Sequence, residues 1–453
     1  MSNVWRDNRI LILSVPLCAT LYILLAYDLD RSNFTYLLFL FAGLFLCYYF
    51  LLPVKTDETN TEILFKTGVF FRLLFLLSIP NLSQDFYRFI WDGRLLTNGL
   101  NPYLYIPDEI INNKQIYIPE AISLYNGMGS LSSGHYTNYP PINQLCFWLA
   151  AVISGKSIFG SVFILRLLII LFDIGIYKYG RKLLDALKIP GDNMFLYFLN
   201  PLVIVELTGN LHFEGAMIFF LILALYQLQK GRYLWGAIFL ALSISMKLVP
   251  LMLLPLFINY LGFKKVIGFF AIIGLITLAL FSPFFSFPFF NNFISTTALW
   301  FINFEFNASI YYIIRGIGYN LTGYNIIHLT GRIMPLLLIC MILFISFRKQ
   351  DNSIKNLITN MLVVLSIYFF LSTTIHPWYI ITLVMLSVFT NWKFPLVWSF
   401  TIVLSYFAYK NPVFKENTFI LSLEYAVMYG YLIFELSTRK LYEAGFATKF
   451  RSS

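Results

Sequence analysis

The stretch INQLCFWLAAVIS, residues 142–154, is apolar enough to enter a bilayer, yet it is short. A spanning helix needs about 20 apolar residues to cover about 30 Å of hydrocarbon. Whether this run crosses decides the topology of the whole chain. If it crosses, the cluster Lys178, Arg181, Lys182 and Lys188 is put on the outer side, opposite Arg6, Arg9 and Lys55. If it stays at the surface, that cluster shares one side with Arg6, Arg9, Lys55, Lys230, Arg232, Lys264, Lys265, Arg348, Lys349, Lys393, Arg439 and Lys440. The second arrangement is what the positive-inside bias of membrane proteins favours. We therefore read residues 142–154 as an interfacial or re-entrant helix on the outer side, with both termini cytoplasmic.

The rest of the chain agrees with a membrane reading. Hydrophobic residues make up 59% of its 453 positions and charged residues 12%, whereas soluble domains hold roughly 45–50% apolar residues. Apolar runs cover residues 9–27, 34–52, 63–81, 158–178, 193–208, 213–229, 233–247, 250–262, 266–284, 331–347, 357–374, 378–391, 394–409 and 418–436. They predict an all-α polytopic integral membrane protein with about 12 to 14 transmembrane helices. A single domain over 1–453 is expected, with residues 82–157 as an extracytoplasmic loop holding interfacial helices and 285–330 as a second outer loop region. No small-residue cleavage pattern follows the first run, which reads as a retained helix. The net charge of +10 is dispersed at the ends of apolar runs and is not gathered on a soluble module, which speaks against a nucleic-acid partner. Cys18, Cys47, Cys146 and Cys340 show no paired spacing and suggest neither a disulfide framework nor a metal site.

Nearly all unusual polar residues fall in the outer segments. In SQDFYRFIWDGRLLTNGLNPYLY, residues 83–105, Asp85, Arg88 and Asp92 share one helix face and Arg94 follows. A helix cap and a surface ion pair would account for the same spacing. NPLVIVELTGNLHFEGAM carries Glu206, Asn210, His212 and Glu214 at a depth where ionisable groups are costly. Lys247 stands at the outer end of an apolar run, where it either snorkels to headgroups or binds an anion. TTIHPWYIITL places His376, Trp378 and Tyr379 at another outer mouth, NFEFNASIYY adds Glu305, and HYTNYPPINQ adds His135, Tyr139 and Gln144.

Taken together, DFYRFIWDGR with GLNPY, YPPINQ, FGSVFILRLLIILFDIGIYKYGRKLL, NPLVIVELTGNLHFEG, MKLVPLMLLP and HPWY run in order over residues 85–379. In that order they resemble the GT-C superfamily of membrane glycosyltransferases, above all bacterial mannosyltransferases that use polyprenol-phosphate-mannose. The resemblance implies a GT-C-type helical bundle with a Pro-Pro helix at the outer surface, matched here by Tyr139, Pro140 and Pro141. It implies Asp85 as catalytic base and inversion at the anomeric carbon. The donor would be a polyprenyl-phosphate sugar and the acceptor a glycan, glycolipid or protein; neither cofactor nor metal is expected. Where relatives often read Gly-His and then an acid, this chain reads Asn210, Leu211, His212, Phe213, Glu214, without the glycine.

Fixed cations would steady the departing lipid phosphate, and Lys247, Arg88 and His376 are the expected donor-phosphate ligands. Asp92, Arg94, Tyr139, His212, Glu214, Glu305 and Tyr379 are the expected substrate-binding residues. In a bacterial host the protein would lie in the inner membrane with its active side periplasmic. Two other readings stay open: a lipid-linked glycan ligase or polymerase, and a secondary transporter, which usually binds near the midplane. The Asp28-Leu29-Asp30 triplet lies in a short loop with no nucleotide-binding strand, turn and helix around it.

Overall fold

The computed structural model describes residues 2–52, 58–112, 116–302, 304–410 and 414–450. Lys55, one of the basic residues used for the topology, lies outside them, as do the side chains of Arg6 and Lys440. The architecture is all-α; among the described residues the strand-like pairing is confined to a bridge between Phe306 and Thr374. Seven described helices are long and apolar enough to cross a bilayer: Arg9–Tyr27, Phe34–Leu51, Ile158–Ala186, Phe263–Phe284, Ile327–Phe347, Ile354–Leu371 and Thr418–Arg439. An eighth crossing arises if Pro201–Gly209 and Glu214–Gln229, bent by 114°, form one broken span. This is a multi-pass membrane protein.

Other apolar runs form shorter helices, among them Tyr233–Met246, Pro377–Val388 and Phe394–Tyr409, or are broken at prolines. Residues 250–262 split into a 3-10 turn holding Pro250 and a six-residue helix, Leu256–Leu261, that follows Pro255. Proline lacks the N–H that continues a helix and clashes with the preceding turn. Residues 193–208 are likewise divided at Pro201. The run at 142–154 forms the 14-residue helix Pro141–Ser154, about 21 Å long at 1.5 Å per residue. It is too short to cross.

That short helix packs against the helix Asp85–Thr97, and Gly93 is what lets them touch. A Cβ at Gly93 would stand 2.3 Å from the Phe147 carbonyl oxygen. Beside it the Phe89 and Phe147 rings stack at 4.6 Å. Gly93→Ala must therefore push the two backbones apart. We expect a loss of about 1–3 kcal/mol, the usual cost of overpacking, read as a lowered melting temperature in detergent; a wild-type melt would mean the contact is soft.

Two buried charges on the helix Ile158–Ala186 tie neighbouring segments to the bundle. Arg166 is fully buried and donates to the carbonyls of Thr208 (2.8 Å), Gly209 (3.0 Å) and Ser78 (2.5 Å). It thereby joins the segment leading to Asp85 to the bend of the broken helix. Asp173, seven residues along the same face, accepts from Arg72 Nε (2.8 Å) and the Tyr197 hydroxyl (3.0 Å). Arg72 also donates to the Gly68 and Phe198 carbonyls.

The bend itself is a π-helical turn, Ile204–Gly209, followed by Leu211 at φ +65°. This is the position where the resemblance led us to expect glycine. A leucine in the left-handed region costs of order 1–3 kcal/mol, so surrounding packing holds His212 and Glu214 where they are.

Candidate active site

Asp85, Arg88, Tyr139, Glu214, Lys247, His376 and Tyr379 line one cavity of about 680 Å³. Five separated parts of the sequence meet there, and the volume suits a small ligand or headgroup.

Asp85 is the first residue of its helix, where the backbone dipole favours a carboxylate. Its side chain keeps 36% of its surface open onto the cavity, and His212 Nδ1 lies 4.0 Å from its Oδ2. Desolvation by the surrounding protein raises its carboxyl to about 6, with Lys247 pulling the other way and Glu214 adding to the rise. Lys247, just past the helix Tyr233–Met246, is ion-paired with Glu214 and stands 5.6 Å over the Tyr379 ring.

Arg88 is held on three sides: Nε meets Asp92 Oδ1 at 2.8 Å, and Nη1 donates to the Ser132 and His135 carbonyls at 2.7 and 2.9 Å. Asp92 is fully buried, accepts from Gln144 Nε2 at 3.1 Å and lies behind the cavity wall. Arg94 is turned away from the cavity. It donates to the Pro119 and Lys156 carbonyls and pairs with Glu120 at 3.1 Å. Glu305, in the second outer region, is tied to Tyr311, Arg315 and Asn325 and is not part of the wall.

His212 sits just behind the wall, stacked on Trp378 at 3.7 Å. Its Nε2 is 3.6 Å from Glu206, and Glu206 is itself held by the Tyr406 hydroxyl (2.6 Å) and Asn210 (3.1 Å). His376 also stacks on Trp378, at 4.4 Å, and Tyr379 stands edge-on to it at 5.2 Å. Burial, and then the charges of Lys247 and Arg31, push the His376 imidazole down to about 3. It is a neutral hydrogen-bonding group at physiological pH and supplies no positive charge.

Arg31 was not among the expected site residues, yet it lines the cavity with its guanidinium 3.4 Å above the Tyr409 ring centroid. The clue is a basic residue on the side that the expected topology makes the outer one, the same departure from positive-inside bias that marks Lys247. Asp28 and Asp30 next to it serve the loop. Asp28 accepts from the Tyr36 hydroxyl at 2.9 Å, and Asp30 closes a turn on Ser32 N and Oγ at 2.7 and 2.6 Å.

The family model described as alpha-(1->6)-mannopyranosyltransferase, N-terminal domain, matches residues 15–262. The chain belongs to the alpha-(1->6)-mannopyranosyltransferase family. It is similar to alpha-(1->6)-mannopyranosyltransferase A of Mycobacterium tuberculosis, 25% identical over 203 residues that take in 45% of this chain and 37% of that protein. It is also similar to alpha-(1->6)-mannopyranosyltransferase A of Corynebacterium glutamicum, 23% identical over 205 residues, 43% of this chain and 38% of that one. The chain thus aligns with little more than a third of the length of these curated relatives. Within the alpha-(1->6)-mannopyranosyltransferase match lie Arg31, Asp85, Arg88, Tyr139, Glu214 and Lys247. His376, Trp378, Tyr379, Tyr406 and Tyr409 close the cavity from beyond it.

Proposed function

We propose that this chain transfers a single mannose from a polyprenyl-phosphate donor to a hydroxyl of a glycan, glycolipid or protein on the extracytoplasmic face. In a bacterial host that is the periplasmic side of the inner membrane. The observation that carries this reading is Asp85 on the wall of a cavity shared with Lys247 and Glu214, in a chain of the mannopyranosyltransferase family.

The acceptor oxygen attacks the anomeric carbon as its proton passes to Asp85. The bond from that carbon to the phosphate oxygen breaks, and the lipid phosphate leaves with the electron pair. One displacement inverts the anomeric centre. A carboxyl raised to about 6 is ionised at neutral pH and more basic than an ordinary aspartate, which suits a general base. His212, close behind Asp85, orients it. Charge developing on the phosphate is met by the cationic wall and by the neutral imidazole of His376. Tyr139 and Tyr379 offer the sugar aromatic faces and hydroxyls. In this reading Asp92 holds Arg88, Glu214 holds Lys247, and Arg94 and Glu305 brace the outer loops. The displacement draws on no cofactor or metal.

The test is turnover by purified protein in nanodiscs with polyprenyl-phosphate mannose, its glucose and arabinose analogues, and a polyprenyl-diphosphate oligosaccharide. Consumption of the mannosyl monophosphate above the others is expected. Consumption of the diphosphate alone would favour a ligase, and solute uptake into vesicles with no donor consumed would favour a transporter.

A further inference from the structure

Three basic side chains stand on the cavity wall: Arg31, Arg88 and Lys247. Two of them are committed. Arg88 is paired with Asp92, and Lys247 with Glu214. Each pair is close to neutral as seen from the cavity. Among the described residues Arg31 makes no ion pair, and its Nε is buried without a hydrogen-bond partner. The Arg31 side chain is only partly buried and lines the cavity, so its charge faces that space with no carboxylate paired to it.

Its surroundings hold it in place. Asp30 closes the turn on Ser32, and Asn33 caps the next helix through Tyr36 N at 3.2 Å. Asn81 donates to the Leu25 and Leu29 carbonyls at 2.7 and 3.0 Å, which joins the Arg31 loop to the segment entering Asp85. The guanidinium lies over the Tyr409 ring, whose centroid is 6.0 Å from that of Phe306, and Phe306 is in turn 4.9 Å from the His376 ring. His376 is nine-tenths buried, lines the same cavity, and has no hydrogen-bond partner for Nδ1.

We propose that Arg31, with His376 Nδ1 as a second, neutral contact, is the anchor for the phosphate of the lipid-linked donor. Lys247 and Arg88 then serve chiefly to hold Glu214 and Asp92 and to shape the wall. This assignment rests on the donor reading above. Arginine suits the task because its planar fork grips two phosphate oxygens at once, which a lysine does not do.

The experiment compares affinity for polyprenyl monophosphate with affinity for the neutral polyprenol of the same length. It uses the full chain in phosphatidylcholine nanodiscs, as wild type, Arg31→Gln and Arg31→Lys. The ratio of the two affinities is the readout, so a folding defect, which weakens both lipids alike, does not imitate the result. Wild type should prefer the phosphate. Arg31→Gln should lose about tenfold to a hundredfold of that preference, the range for a hydrogen bond to a charged group, and Arg31→Lys should fall between. A wild-type ratio in Arg31→Gln overturns the assignment and returns the phosphate to Lys247 or Arg88. Displacement of the lipid by inorganic phosphate at matching concentration would overturn it too, as a site for free anion. A wild type that does not tell the two lipids apart removes the donor reading itself.

Discussion

Asp85→Asn is expected to lower the rate of sugar transfer by about a hundredfold to ten-thousandfold, the range that loss of a general base produces. Donor affinity should stay near that of wild type. Asparagine keeps the size and place of the side chain and removes only its capacity to take a proton, so the effect belongs to the chemical step. The pH profile gives an independent check. Because the carboxyl is raised to about 6 and must be ionised to act, the wild-type rate should climb as pH rises through about 6 and level off above it. In Asp85→Asn that limb should vanish from the residual rate. If the variant works within a few-fold of wild type, the base lies elsewhere. Glu214 is then the nearest alternative on the wall, because Asp92 is locked behind it by Arg88 and Gln144.

Asp173→Leu is expected to be the most damaging change outside the cavity. It leaves Arg72 charged and unpaired in a setting where neither group has any exposed surface. Removing one member of a buried pair typically costs about 3–5 kcal/mol, whereas replacing both by apolar groups is often close to neutral. The double variant Arg72→Met with Asp173→Leu should therefore regain most of what the single one loses. Thermal unfolding in detergent, followed with a thiol-reactive dye in a Cys340→Ser background, reports this directly, since Cys18, Cys47 and Cys146 are buried and Cys340 is exposed. A single variant that melts with wild type would show that the pair carries little structural weight. A double variant no better than the single one would place the loss in packing around Tyr197.

The membrane character, and the shortness of helix Pro141–Ser154, were legible because both follow from length and apolarity. Residues on or just behind the cavity wall were legible where they broke a membrane rule. Lys247 is basic where the expected topology puts the outer side, His212 and Glu214 are ionisable between apolar runs, and His376 is one of four histidines. Arg94 and Glu305 looked the same by that rule, and the fold uses them to brace loops. Spacing alone cannot tell a charge facing a cavity from one facing a carbonyl. Arg31 escaped notice because its meaning comes from what it lacks, a carboxylate partner, and that is known only once Asp92 and Glu214 are seen to have taken the other cations. The buried pair Arg72 and Asp173 joins residues 101 positions apart, and no local pattern announces it. Prolines at 201, 250 and 255 break apolar runs that composition alone reads as continuous.

The cavity is walled by two stretches of chain that the family match treats differently. The carboxylate, the ion pairs and Arg31 come from the matched half, while the stacked rings of Trp378 and His376, and Tyr409 beside Arg31, come from the other. On the proposed function, the first half supplies the base that takes the proton, and the second helps hold the lipid-linked donor. Drift among those aromatic residues would change how the donor is gripped while the base stays in place. Likeness confined to the first half is then a guide to the reaction and a poorer guide to the lipid that delivers the sugar.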